Sequence, residues 1–396
     1  MSEDNAPAPG VHLFYLDDAG VLFSERRQEL HLLNETATLI FSLLEEGHDE
    51  VSAARELQAL TGIDAPTSAA HVATALREWR SKGLLGRSAA PRVEASPAAG
   101  PAFDAPWAPS QVVGERTYKL LDTPFRIRFT SAEQIEVVHP IVEHLELPEP
   151  APEAITIDVV GRDGRQLVYR DREPFAECKE LCELAPFVKA LFWQSAVNRH
   201  DYFLDIHAGV VGDDRRCILL PAAAGSGKST LTAALVHDGF AYYSDEVALL
   251  EENTLAVYPV PLAICVKVAG LSALVERFPV LHKLPVHRRI DGKDVIYMAP
   301  PAGALPSGTH PRPVVGVVFP RYSRDALTSI EPLSAAEALK CLLEECLVIP
   351  KGLAAGTVQA LIRWILRIPC YRLTFGSTDE AVAAVKGVFR QGTSSG

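Results

Sequence analysis

The stretch Ala222-Ala223-Ala224-Gly225-Ser226-Gly227-Lys228-Ser229-Thr230 joins a bend of small residues to Gly-Lys-Ser-Thr at the start of a helical pattern. Each residue type has a task if the stretch holds a triphosphate. Gly225 and Gly227 let backbone N–H groups turn inward on β- and γ-phosphates. Lys228 puts a cation between those phosphates and the Ser229 hydroxyl completes a Mg²⁺ shell, while the helix beginning there points its positive end at the anion. This is a Walker A pattern with one departure. Ala222 stands where the pattern has its first glycine, so the bend there must be one that a residue with a β-carbon can adopt. Shortly after come Asp245 and Glu246, an acidic pair. Gly225, Ser226, Gly227, Lys228, Ser229 and Thr230 are thus the candidate cofactor-binding residues. ATP with Mg²⁺ is the expected ligand, and the choice of purine is not legible.

These residues need elements to hold them. Residues 217–220 read as a short buried strand stopped by Pro221. The helix after the loop carries Leu231, Ala234 and Leu235 on one face and closes at Gly239 with a left-handed cap. A strand over residues 240–243 then delivers the acidic pair beside the loop.

The order Ile206-His207-Ala208-Gly209-Val210-Val211, then the glycine loop, then Ser244-Asp245-Glu246 resembles the HPr kinase/phosphorylase family, which is related in fold to phosphoenolpyruvate carboxykinase. The resemblance spans about residues 200–250. Farther on, Ile368-Pro369-Cys370-Tyr371-Arg372-Leu373, followed by an Asp-Glu helix, is similar to the divergent HPr-kinase-related group. It implies an α/β P-loop kinase domain in which Lys228 binds phosphate, Ser229 binds Mg²⁺ and His207 neutralises the transferring oxygens. Glu246 occupies the general-base position, with Asp245 as metal partner. The family has Asp where Glu246 stands, and one extra methylene implies a repositioned acceptor or a changed division of labour with Asp245. No carboxylate occurs in Pro259-Val260-Pro261-Leu262-Ala263-Ile264-Cys265-Val266-Lys267, where the regulator carries an acidic metal ligand. Reverse phosphorylase activity is therefore not expected. Arg288 and Arg289 are both candidates for a catalytic arginine, against the alternative of a solvated charge run around a turn.

The 396 residues leave room for two or three domains, and a mean hydropathy of +0.09 is that of an ordinary soluble chain. A net charge of −12 speaks against nucleic acid as the main partner. The seven cysteines form no Cys-x-x-Cys pair, which argues for reduced residues over a disulfide framework or zinc site. With no basic-apolar start and no long uncharged apolar run, no membrane partner is expected and the location is expected to be cytoplasmic. Self-association is left open.

Upstream, Val11–Leu16, residues 21–24 and Glu29–Leu33 read as short strands, followed by a helix capped by Asn34 and two further helices over 51–60 and about 67–82. The phrase His31-Leu32-Leu33-Asn34-Glu35-Thr36-Ala37, with Gly83-Leu84-Leu85 at the end, resembles the PqqD-like family over roughly residues 11–86. That family comprises recognition elements for leader peptides of ribosomally made, modified peptides. The resemblance implies a small α+β, winged-helix-like domain over 1–86 that takes a precursor leader as an added strand between residues 29–33 and 68–82. Arg77, Arg80 and Lys82 cluster on the last helix, either as a docking strip for an acidic leader or as the solvated face and last-turn cations that favour any helix C-terminus. Residues 87–113, rich in Pro and Ala, read as a stiff linker before a domain over 114–396. Joined together, these readings predict an ATP-dependent kinase acting on a hydroxyl, serine by preference, of a precursor peptide recruited through its leader. The competing reading is a nucleotide-gated chaperone that presents the precursor to another enzyme.

Overall fold

The computed structural model describes residues 5–86, 106–108 and 111–392. Within it the chain divides into two compact units, and most of the expected linker, 87–105 with 109–110, lies outside the described residues.

The first unit opens with a three-stranded antiparallel sheet, β1 (Val11–Leu16), β2 (Ala19–Ser24) and β3 (Glu29–Leu33), in the order β1-β2-β3. The turn expected over four residues closes in two, Asp17 and Asp18, because Asp17 adopts a φ of 52° and Leu16 pairs directly with Ala19. Three helices follow, α1 (Glu35–Glu45), α2 (Glu50–Thr61) and α3 (Ala65–Ser81). Each starts on a side-chain cap: Asn34 accepts from Ala37 N–H, Asp49 from Ser52 and Asp64 from Thr67. Such a cap stabilises a helix by about 1 kcal/mol. Val72, Leu76 and Trp79 of α3 are buried as their spacing requires, and Trp79 meets the Phe41 ring edge-on at 5.3 Å.

The second unit begins with β4 (Gly114–Leu120), β5 (Thr123–Phe129), α4 (Ala132–Val142), β6 (Ile155–Arg162), β7 (Arg165–Arg170), β8 (Glu173–Cys178) and α5 (Leu184–Arg199). The strands form one sheet in chain order. Strand β5 alternates strictly, Phe125, Ile127 and Phe129 pointing into a core shared with α4 and α5 while Arg126 and Arg128 face outward. Trp107, from the expected linker, is tied to this sheet: its Nε1–H donates to Asp158 Oδ2 at 2.9 Å, and Arg172 lies over the ring.

Next come β9 (Leu204–Ile206), β10 (Ala208–Gly212), β11 (Cys217–Pro221), α6 (Lys228–His237), β12 (Ala241–Ser244), β13 (Ala248–Leu250) and β14 (Val257–Tyr258). The remaining elements are β15 (Ile264–Lys267), β16 (Val286–Arg288), β17 (Asp294–Met298), β18 (Val314–Tyr322), β19 (Ser329–Pro332), α7 (Ala335–Glu344), β20 (Cys346–Val348), α8 (Ala355–Ile365), β21 (Cys370–Phe375) and α9 (Thr378–Gln391). The central sheet runs β12-β10-β11-β18-β21-β19, with β11, β18 and β21 parallel. A second sheet runs β14-β13-β9-β20, and a third β15-β17-β16.

Two expectations change here. Helix α6 is buried nearly all round rather than on one face, because Thr232, Ala233 and Val236 are covered along with Leu231, Ala234 and Leu235. Residues 333–344 and 351–368, expected in the second domain, group with the N-terminal residues. Within that first unit α8 packs against β1, and the Gln28 side chain brackets Leu353 by donating to its carbonyl at 3.0 Å and accepting from its N–H at 2.5 Å.

Candidate functional site

Strand register assembles the site. β10 lies antiparallel between β11 and β12, with Ala208 opposite Pro221 and Val210 opposite Ser244. The residues just beyond these pairs, His207, Ala222 and Asp245-Glu246, therefore emerge at one end of three adjacent strands. The Ala222 N–H donates to the His207 carbonyl at 3.4 Å. Ala222 keeps a negative φ, so the bend that lacks its first glycine is one an alanine accepts.

Gly225 at φ 97° and Gly227 at φ 85° make the turn into α6, and they are glycine for different reasons. At Gly225 the backbone angle alone demands it. At Gly227 a β-carbon would also stand 2.9 Å from Tyr322 and 3.0 Å from Phe375. The loop is held from outside by Tyr322 N–H donating to the Ser226 carbonyl at 2.9 Å. Gly209 in β10 lets α6 approach, since a β-carbon there would meet Thr232 Oγ1 at 2.3 Å.

Helix α6 starts on Gly227 without a side-chain cap. Lys228 is only 5% exposed, and its Nζ finds no hydrogen-bond partner among the described residues; the buried Ser226 Oγ and Thr232 Oγ1 also lack one. Burial pushes the Lys228 ammonium down to about 8, against the upward pull of Asp245, Glu246 and Glu345. A buried, unpaired cation at an open helix N-terminus is poised to take an anion. Ser229 and Thr230, in the same first turn, are half-buried.

Asp245 is buried, and both its oxygens are engaged. Oδ2 accepts from Cys265 N–H at 2.9 Å, and Oδ1 lies 3.1 Å from the Tyr242 hydroxyl, which also donates to the Leu262 carbonyl. Burial first, then the charge of Glu246, raises its pKa, against Lys189, Cys265 N–H and Lys228. Glu246 is more open, its side chain 36% exposed, and its Oε2 accepts from Lys189 Nζ at 2.8 Å. Burial would raise the Glu246 carboxyl, but Lys189, with Arg289 and Lys228, outweighs it and holds it below the usual range.

Lys189 and Glu345 escape sequence reading. Lys189 projects from α5, is buried, and also lies over the Tyr297 ring at 4.9 Å. Burial opposes its charge, but Glu246 and Asp245 overcome that and hold the ammonium above its usual range. Glu345 approaches His207, with Oε2 3.2 Å from Nδ1. Burial and then Lys228 hold the imidazole below its usual pKa, against Glu345 and Glu246. Of the two candidate arginines, Arg289 reaches toward Glu246, Nη1 to Oε1 3.9 Å, while Arg288 pairs with Asp294 at 3.2 Å.

The fit to a nucleotide phosphate is good on the cation, the open helix end and the free hydroxyls. The fit to a metal is narrower. Among the described residues no group of three His, Cys, Asp or Glu side chains could hold one, and with Asp245 engaged, Ser229 is the residue left to share an ion with phosphate oxygens. No disulfide joins the cysteines among the described residues, and Cys178, Cys217, Cys265 and Cys370 are buried. No described helix is long and apolar enough to cross a membrane.

In the first unit, β3 pairs among the described residues with β2 alone, which leaves an edge. On α3, Arg77 is exposed, whereas Arg80 donates to Asn5 and Lys82 pairs with Glu78 at 2.5 Å.

Comparison with protein families matches residues 19–85 to coenzyme PQQ synthesis protein D (PqqD). The first unit therefore contains a PqqD-like domain. Among solved structures, one described as TbiB1 in complex with the TbiA(beta) leader peptide is similar at 27% identity, over 22% of this chain and 99% of that one, with a TM-score of 0.20. The search of curated proteins returns no match.

Proposed function

We propose that this chain is an ATP-dependent peptide kinase that captures a precursor through the leader-binding edge of its PqqD-like domain and phosphorylates a hydroxyl, serine by preference, in the tethered core. The observation that carries the kinase half is Lys228, a buried cation without a hydrogen-bond partner among the described residues, at the uncapped start of α6. The recruitment half is supported by the PqqD match and by the free edge of β3.

In this reading Lys228, Ser226 and the first-turn amides of α6 hold phosphate oxygens, and Ser229 would hold Mg²⁺, which when bound supplies further positive charge there. Asp245, already engaged by Cys265 and Tyr242, acts on the site through its charge and by fixing the loop after β12. Glu246 takes the proton of the acceptor hydroxyl as its oxygen bonds to the γ-phosphorus and the bond to the β-phosphate oxygen breaks, releasing ADP. Lys189 and Arg289 keep Glu246 ionised and set its reach.

A second reading is favoured by the same ion pair. A glutamate held low by Lys189 at 2.8 Å is a weak proton acceptor, as suits a nucleotide-gated chaperone that presents the precursor without modifying it. Mass spectrometry of the precursor after incubation with protein, ATP and Mg²⁺ separates them. The kinase reading expects one added phosphate, and an unchanged mass with ATP bound would replace it by the chaperone.

A further inference from the structure

His207 lies at the passage from β9 to β10 and is held twice by one residue. Its backbone N–H donates to the Glu345 carbonyl at 2.8 Å, and its ring Nδ1 is 3.2 Å from Glu345 Oε2. Glu345 follows α7 and precedes β20, which pairs antiparallel with β9, Cys346 opposite Ile206. Main-chain pairing thus sets the Glu345 backbone beside His207, within reach of the ring for its carboxylate.

A carboxylate on one ring nitrogen has two effects. It fixes the tautomer, and it stabilises the imidazolium that forms when the other nitrogen takes a proton. The charged groups acting on His207 come from three elements: Lys228 on α6, Glu345 before β20 and Glu246 after β12. Lys228 opposes a protonated ring and the two carboxylates favour it, with Glu345 the one in contact. An anion between Lys228 and His207 would reverse the opposition, and the ring could then donate to it.

We propose that Glu345 is the positioning residue of His207: it accepts the Nδ1–H, leaves Nε2 as the nitrogen available to a ligand, and supports the protonated ring when an anion arrives beside Lys228. The catalytic consequence rests on the phosphoryl-transfer reading above, whereas the tautomer does not.

The test uses the full chain labelled with ¹⁵N-histidine, His207→Gln identifying the resonance. Glu345→Gln keeps an acceptor oxygen and removes the charge; Glu345→Ala removes both; the main-chain bond to His207 survives in each. Wild type should show the Nδ1–H tautomer above its titration midpoint, Glu345→Gln the same tautomer with a lower midpoint, and Glu345→Ala no tautomer preference. In turnover, Glu345→Gln should lower kcat by about ten- to a hundredfold with KM for ATP held within about twofold, and Glu345→Asp should recover part of the loss. One tautomer distribution common to wild type and Glu345→Ala overturns the proposal, as does an unshifted midpoint in Glu345→Gln. A wild type that shows the Glu345-dependent tautomer yet transfers no phosphate to the precursor upholds the His207 assignment and removes the kinase reading alone.

Discussion

Helices α1 to α3 of the first unit and α6 of the second start in opposite ways. In the first, Asn34, Asp49 and Asp64 each give a side-chain oxygen to an amide that helix geometry leaves unpaired, so the fold consumes its own donors. In the second, α6 begins on Gly227 with no side chain over its end, and Lys228, Ser226 and Thr232 each bury a polar atom without a partner among the described residues. A buried unsatisfied group costs about 1–3 kcal/mol. The contrast separates helix starts finished by their own side chains from one that an anion would finish. The first unit has its opening elsewhere, along the backbone of β3.

The contrast breaks most sharply at the acidic side of the site. Glu246→Gln removes the proposed proton acceptor but leaves the glycine loop intact. Phosphate transfer to the precursor should fall by at least about a thousandfold while calorimetry finds ATP binding retained. Transfer that survives in the variant would move the base to another residue. Next in size is Lys228→Ala, which removes the buried cation that has no hydrogen-bond partner among the described residues. ATP affinity should drop by about a hundredfold, since a buried charge-assisted contact is lost. Equal binding in calorimetry would mean that the open end of α6 is a structural feature without a ligand.

Much of this contrast is legible in the amino-acid sequence, and the illegible part has a common cause. Strands β1 and β3 and the caps at Asn34, Ser334 and Ser377 are local signals, each set by residues within one turn or one alternation. Gly225, Gly227 and Lys228 are similarly local. Helix α4 is hidden because Pro140 sits inside it, where proline would ordinarily mark an end. The partners of the site residues are hidden by distance along the chain: Lys189 precedes Glu246 by 57 residues and Glu345 follows His207 by 138. Lys189 adds a second disguise, a lysine among the buried apolar residues of α5, whose burial makes sense only once Glu246 and Asp245 stand beside it. The grouping of residues 333–344 and 351–368 with the N-terminal residues carries no local mark at all.

The opening in the first unit can be tested by register. Leu16 and Ala19 close a two-residue hairpin, so alternate residues of β2 bond to β1, leaving Gly20, Leu22 and Ser24 to bond to β3. Their partners in β3 are Leu33, His31 and Glu29, and the amides of Leu30 and Leu32 therefore point to the free edge. Leu32→Pro removes one outward donor and spares the pairing with β2. KM for a leader-bearing precursor should rise by about tenfold, one backbone contact's worth, with ATP binding and the KM for a leaderless core unchanged. A rise shared by the leaderless core would show damage to the unit rather than loss of an added strand.

The last effect concerns an unpartnered group that no ligand is asked to satisfy. Asp205 in β9 is fully buried, neither of its oxygens has a partner among the described residues, and burial raises its carboxyl to about 7. In the unfolded chain it titrates near the ordinary carboxylate value. Between the two values the folded state holds a proton that the unfolded state has lost, so this residue's contribution to stability falls as pH rises through that window and levels off above about 7. The ceiling is about 1.4 kcal/mol per pH unit. Asp205→Asn has no such titration. Its melting temperature should gain on wild type from about pH 5 to about pH 8, while ATP binding stays the same. Lys228 and Asp205 would then represent two kinds of unsatisfied group, one answered by a ligand and one borne by the fold. A melting difference that is flat with pH would show that Asp205 ionises freely in the folded chain, and the second kind would lose its example.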